Sequence, residues 1–137
     1  MQDKLSIILF SGTVDKLMAA SILATGAAAM GKEVNLFLTF WGLMGFRKDD
    51  WKTNNRLSAD FTDYAAMVGS AMQQHQVPSW RQTLEDAMEV GSVHIYACGM
   101  TMDLFGLKLE QLEPIVTDVI GVAGFVSMAD GGQTLFI

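Results

Sequence analysis

The sequence predicts an α/β protein, a three-layer α/β/α arrangement around a five-stranded, mainly parallel sheet. Short apolar runs of strand length recur five times, and segments with helical periodicity or helix stop signals alternate with them. A helix-length segment between the first two runs forces a crossover, which makes that strand pair parallel and the connection right-handed. With 137 residues, 50% hydrophobic and 18% charged, residues 1–137 have the material for one packed core and read as a single domain.

Leu5-Ser6-Ile7-Ile8-Leu9-Phe10 forms the first run, closed by Ser11-Gly12. Thr13 stands where an N-cap belongs, ahead of a helix to about Met30 in which Val14, Leu17, Met18, Ile22 and Leu23 recur at helical spacing. The Ala-rich second half, with Gly26, predicts close approach to the sheet, and Gly31 ends the helix. Val34 to Phe40 is the second strand, and Trp41-Gly42-Leu43-Met44-Gly45 leaves it. Arg47, Lys48, Lys52 and Arg56 then mix with Asp49, Asp50, Asn54 and Asn55 in a solvated loop, whose cations could also steer an anion towards the strand ends.

Leu57, Phe61, Tyr64, Ala65, Val68 and Met72 share one face of a predicted helix from about Leu57 to Gln74. With no strand partner of its own, that face is expected to meet another subunit, making the protein a homo-oligomer. A second helix follows Pro78, with Ser79 and Gln82 in capping-box spacing and Gly91 as the stop. Val93 to Ala97 is the third strand. Helical turns over Met102–Gly106 and Lys108–Glu113, an interruption at Pro114, a weak strand over Val116–Ile120 and a helix over Val122–Ala129 lead through Gly131-Gly132 to a last strand, Gln133–Ile137. This alternation is flavodoxin-like, and such sheets bind ligands at the carboxyl ends of their strands. Ser11-Gly12-Thr13, Thr39-Phe40-Trp41-Gly42 and Cys98-Gly99-Met100 should converge there.

Composition narrows the chemistry. A formal charge of −6 argues against a nucleic-acid surface. No GxGxxG follows the first strand and no GxxxxGK[ST] occurs, so dinucleotide and P-loop cofactors lose support and no cofactor is expected. Ser11-Gly12-Thr13 could meet a phosphate at a helix start, or simply cap the helix. One cysteine with His75 and His94 offers no metal-ligand spacing, and neither histidine is assignable as a base. The N-terminal apolar run ends at Phe10 and reads as neither a signal peptide nor a membrane span. A lone cysteine excludes an intrachain disulfide, and the cytoplasm is the expected compartment. Ten methionines, among them Met44, Met67, Met72, Met100 and Met102, suit gap-filling in a core or an adaptable contact surface.

Cys98 is the informative residue. It stands where the third strand gives way to Gly99-Met100-Thr101-Met102-Asp103. A helix start offers unpaired N–H groups and the positive end of the macrodipole, both of which favour thiolate. Gly99 permits a tight turn, Thr101 can cap, and Asp103 suits a first turn. Packing as a small buried hydrophobe is the competing reading. A thiolate without partners suits acceptance and transfer of sulfur, which needs nucleophilicity and access only.

Ser11-Gly12 with Asp15-Lys16 and Ala19-Ala20, the block Thr39-Phe40-Trp41-Gly42-Leu43, the block Ala97 to Gly106 and Gly121-Val122-Ala123 resemble the DsrE/DsrF-like family, in the branch of DsrE-type sulfurtransferases often labelled peroxiredoxin-like. The resemblance spans nearly the whole chain. It implies a flavodoxin-like subunit that assembles into homo-oligomers, with Cys98 as sulfur acceptor and Gly99, Met100, Thr101 and Asp103 around it. Ser11, Gly12, Thr39 and Trp41 complete the expected rim. The expected function is an intracellular sulfur carrier or sulfurtransferase holding a persulfide or thiosulfonate, with donor and acceptor proteins or small sulfane-sulfur compounds as partners. The alternative is a non-catalytic module for a small ligand or nucleotide, or an oligomeric accessory protein, with Cys98 structural.

Overall fold

A computed structural model of the chain describes residues 3–137. Strands β1 (Lys4–Leu9), β2 (Glu33–Leu38), β3 (Val93–Cys98), β4 (Asp118–Ile120) and β5 (Gln133–Phe136) form one sheet in the order β4-β3-β2-β1-β5. Every pairing is parallel. The order advances from β1 to β4 on one side and returns to place β5 on the other, so the topological switch lies between β1 and β5.

Alternation along the strands divides the core in two. Ile7, Leu36 and Ile95 sit in register on one face, with Leu9, Leu38 and Ala97 one step further, all fully buried. Burying each of the larger aliphatic side chains contributes about 1.5–3 kcal/mol. This face is covered by α1 (Val14–Ala29) and α4 (Trp80–Val90), which also pack on each other. The close approach expected at Gly26 occurs elsewhere: Gly26 borders open space, whereas Ala20, Ala24, Ala27 and Ala28 are buried and a Cβ at Gly91 would press on Ala28. The third layer is α6 (Val122–Ala129), whose Phe125 and Ala129 lie over Phe37 and Cys98.

Several boundaries differ from the expectation for identifiable reasons. The second strand stops at Leu38, and Phe40 opens a short helix, α2 (Phe40–Gly45), with φ at +48°. A bulky residue there is held by its surroundings. The segment expected as one helix from Leu57 divides into a 3₁₀ stretch, Ala59–Tyr64, and α3 (Ala65–Gln74). Leu57 is buried, but α3 buries none of its residues. Ser79 caps α4 as expected by accepting the Gln82 N–H at 3.1 Å, yet the Gln82 side chain donates to Asp86 and leaves the capping box half made. Thr13 occupies the N-cap position of α1 without a capping bond: the Lys16 N–H that a cap could take donates to the Asp15 carboxylate at 3.0 Å, and the Val14 N–H donates to the Arg56 carbonyl at 2.7 Å.

Candidate functional site

Cys98 ends β3 and forms the N-cap residue of α5 (Gly99–Phe105), so the strand-to-helix junction is where the sequence places it. Its side chain points to the α6 face. There it packs in a cluster with Phe37, Phe125 and Ala129, flanked by Ile8, Tyr96 and Ile120, and only 1% of its surface is exposed. Phe125 stacks on Phe37 at 4.6 Å and 15° and holds α6 over the thiol. Beside it runs a groove of about 360 Å³ whose walls include Phe125, Val126 and Ala129. The groove therefore shares two side chains with the cover over Cys98.

The remaining residues of the Cys98 block do different work. Thr101 does not cap α5. It is buried, and its Oγ1 lies 3.2 Å from that of Thr39 and accepts the Phe40 N–H at 3.3 Å. This polar bridge ties the carboxyl end of β2 to the helix after β3 and supports the left-handed Phe40. Asp103 lies beyond the first turn of α5 and is exposed, as is Met100. Gly99 is half-buried beside the Ile120 carbonyl. Gly106 closes the helix in the left-handed region at φ +64°.

Ser11, Gly12 and Trp41 come together at a second place, a cavity of about 480 Å³ at the carboxyl end of β1. Its apolar wall is Phe10, Trp41 and Met44, and its cations are Lys16, Arg47 and Arg56. A Cβ at Gly12 would collide with the Trp41 carbonyl, and one at Gly42 with the Leu9 carbonyl, so glycine at both positions lets the two strand-end loops touch. The Asn54 amide donates to the Gly12 carbonyl at 3.0 Å and pins the loop that forms the far wall. None of the cavity's lining residues belongs to the Cys98 cluster. The expected rim is thus two sites, joined through Thr39–Thr101 and through Trp41, which stacks on Phe105 of α5 at 5.8 Å.

Asp15 fastens this loop to α1. Its carboxylate accepts the Ser58 hydroxyl at 2.8 Å, the Ser58 N–H at 3.3 Å and the Lys16 N–H at 3.0 Å. Burial pushes the Asp15 carboxyl up, but the nearby Thr13 hydroxyl and the hydrogen bonds from Ser58 and Lys16 outweigh it and hold it below the ordinary 3.8. On the other face, burial and the nearby Glu33 and Asp118 carboxylates raise the Tyr96 phenol above 10.0. Among the described residues no group of three or more His, Cys, Asp or Glu is placed to hold a metal, and no helix is long and apolar enough to cross a membrane.

With this geometry in view, the profile of the DsrE/DsrF/DrsH-like family matches residues 1–63 and 56–136, together almost the entire chain. The chain belongs to the DsrE/DsrF/DrsH-like family. An uncharacterized protein YrkE of Bacillus subtilis is 36% identical over 154 aligned positions that cover 96% of this chain and 95% of that protein. The sulfur carrier protein DsrE2 of Allochromatium vinosum is 29% identical, covering 93% of both chains. Among solved structures, a protein of unknown function, MTH1491 from Methanobacterium thermoautotrophicum, superposes with a TM-score of 0.61 at 14% identity over 99% of this chain and all of that one. That likeness establishes the fold.

Sequence reasoning about this DsrE/DsrF/DrsH-like chain missed two groups of residues. Phe125 and Ala129, which cover the thiol, lie 27 and 31 positions after it, and helical spacing alone does not say which strand they meet. Lys16 and Asn54 act through segments far apart in the chain. The signal for Asn54 is the concentration of Arg, Lys and Asn around Arg47 to Arg56, a pattern that reads as a solvated loop; Lys16 lies outside that stretch.

Proposed function

We propose that this protein is a sulfur carrier in which Cys98 holds sulfane sulfur and passes it to an acceptor protein. The reading rests on membership of the DsrE/DsrF/DrsH-like family together with a single cysteine at the end of β3. In the sulfur carrier's cycle, Cys98 loses its proton and the thiolate attacks a sulfane sulfur. With tetrathionate, a Cys98–S bond forms, the central S–S bond breaks and thiosulfate leaves with the electron pair, leaving a thiosulfonate. With an organic persulfide, attack on the terminal sulfur gives a Cys98 persulfide and a thiolate leaving group. Neither step needs an oxidant beyond the sulfane-sulfur donor itself, which takes the electron pair with its leaving group. A chain with no second cysteine has no internal thiol to resolve an oxidised intermediate, which favours transfer to a partner over peroxidase turnover.

Intact mass spectrometry after exposure to tetrathionate or polysulfide tests this. One adduct per chain, absent from Cys98→Ser, is the expected result. Absence of any adduct in the native protein, or its persistence in Cys98→Ser, would overturn the reading.

Burial of Cys98 favours one rival, in which the thiol is packing and the protein binds a ligand elsewhere. The rate at which native Cys98 reacts with a small electrophile separates them. Reaction only as fast as global unfolding supports the rival, and faster reaction supports the carrier.

The carrier is expected to act in the cytoplasm as a homo-oligomer. A ten-residue helix that buries nothing is marginal alone, and α3 presents Met67 at 59% exposure beside exposed Phe61 and Tyr64. A second copy covers this face in the proposed assembly. Light scattering should give a multiple of the chain mass that Met67→Lys reduces, and a monomer at micromolar concentration would sink the assembly.

A further inference from the structure

From the cavity at the carboxyl end of β1 we infer a binding site for a small monophosphate carrying a flat aromatic group, recognised independently of Cys98. Charge is the first argument. A chain of net charge −6 places three of its nine cationic side chains, Lys16, Arg47 and Arg56, around one cavity whose lining holds a single carboxylate, Asp50. Asp50 is engaged by the Arg47 guanidinium at 3.3 Å. Among the described residues, neither Lys16 nor Arg56 forms a salt bridge, so neither cationic side chain is tied to a carboxylate. A phosphate monoester carries −1.5 to −2 near neutral pH and matches them.

The opposite wall asks for something apolar and flat. Trp41 leaves 53% of its surface exposed, one of the few large aromatic side chains to do so, and its indole is fixed by stacking on Phe105. Phe10 and Met44 continue the same wall. About 480 Å³ falls within the range of sites for small ligands.

The site is also built before any ligand arrives. Three links hold the far wall against α1: Val14 N–H to the Arg56 carbonyl, Asn54 to the Gly12 carbonyl, and Asp15 to Ser58. The same links settle how an anion would be held. The Val14 and Lys16 amides are already engaged, by the Arg56 carbonyl and the Asp15 carboxylate, which leaves the Thr13 hydroxyl, buried at the cavity without a partner, as the polar group of this segment open to an anion. Recognition falls to the Lys16 and Arg56 side chains, with the Trp41 face taking the ring.

Titration calorimetry with adenosine monophosphate, phenyl phosphate, adenosine and inorganic phosphate tests the assignment. Both aromatic monophosphates should bind, with adenosine and phosphate at least tenfold weaker. Lys16→Gln and Arg56→Gln should each weaken binding about tenfold without lowering the unfolding temperature, because Lys16 and Arg56 are exposed and Arg56 supports α1 through its backbone carbonyl. Added salt should weaken binding further, while Cys98→Ser should leave it unchanged, which separates this site from the carrier chemistry. No binding of either aromatic monophosphate at millimolar concentration, or binding that both charge-removing variants leave intact, overturns the proposal.

Discussion

Arg81 and Glu113, 32 residues apart, meet through a 2.7 Å Nε–Oε1 hydrogen bond in which the carboxylate is almost completely buried. The other Glu113 oxygen accepts the Asp49 N–H at 2.9 Å, and Arg81 also reaches Glu85. Asp49 has φ at +64°, a left-handed turn that aspartate adopts more readily than most residues. Glu113 thus clamps the turn after α2 onto α4 and positions the segment that becomes the cavity's far wall. Glu113→Ala leaves Arg81 with Glu85 alone and the Asp49 N–H without its acceptor, and should cost about 3 kcal/mol, read from urea unfolding midpoints. Arg81→Met combined with Glu113→Leu should recover much of that loss, because the desolvation cost disappears with the pair.

Phe125 controls access to Cys98. Phe125→Ala removes the ring that stacks on Phe37 and should lower stability by about 3 kcal/mol while accelerating thiol labelling by more than the stability loss accounts for. Phe125→Leu, which retains most of the bulk, should label at a rate near that of the native protein. Equal labelling rates in all three proteins would show that another element covers the thiol.

The Asp15 links give the cavity an acid limit. Because its folded value lies below 3.8, the folded state binds fewer protons there than the unfolded chain. Its contribution is complete above the ordinary value and is lost as pH falls through the lowered one. Below about pH 4 the Ser58 amide resonance should shift together with those of Asn54 and Arg56. Asp15→Asn should abolish that coupled shift.

Tyr96 sets a corresponding alkaline signature. Its phenol is raised above 10.0 by burial and by Glu33 and Asp118, so the stability it contributes is intact below the ordinary value and declines as pH rises through the folded one. Ultraviolet titration should show a phenolate transition later than that of a model tyrosine, moved back towards 10.0 by Asp118→Asn.

Much of this architecture is legible from local pattern. The five strands follow from short apolar runs, α6 follows from Val122 to Ala129 with glycines on both sides, and the Ser79 cap follows from one residue and its spacing. What escaped depends on partners distant in the chain. Thr101 looks like a helix cap until Thr39 and the Phe40 N–H, about 60 residues away, claim its hydroxyl. The polar stretch from Arg47 to Arg56 looks solvated until Glu113, Gly12 and Val14 fix it. α3 keeps its helical pattern but not the burial that pattern implies, because among the described residues no other element of the chain covers it. The site divides for a related reason: alternation aims the Cys98 side chain at α6, while Ser11 and Trp41 border the loop over α1, and strand ends alone do not distinguish the two sides of a sheet.

The closed packing over Cys98 acts on departures as much as on arrivals. In the proposed carrier, a group attached to Cys98 would be released no faster than α6 lifts, and between openings it would be hidden from glutathione and from water. The dwell time of such a cargo would then follow the strength of the Phe37–Phe125 stack more than the chemistry of sulfur exchange. An acceptor that levered α6 aside would collect the cargo on contact, so that delivery would depend on who docks and hardly at all on how much free thiol surrounds the protein.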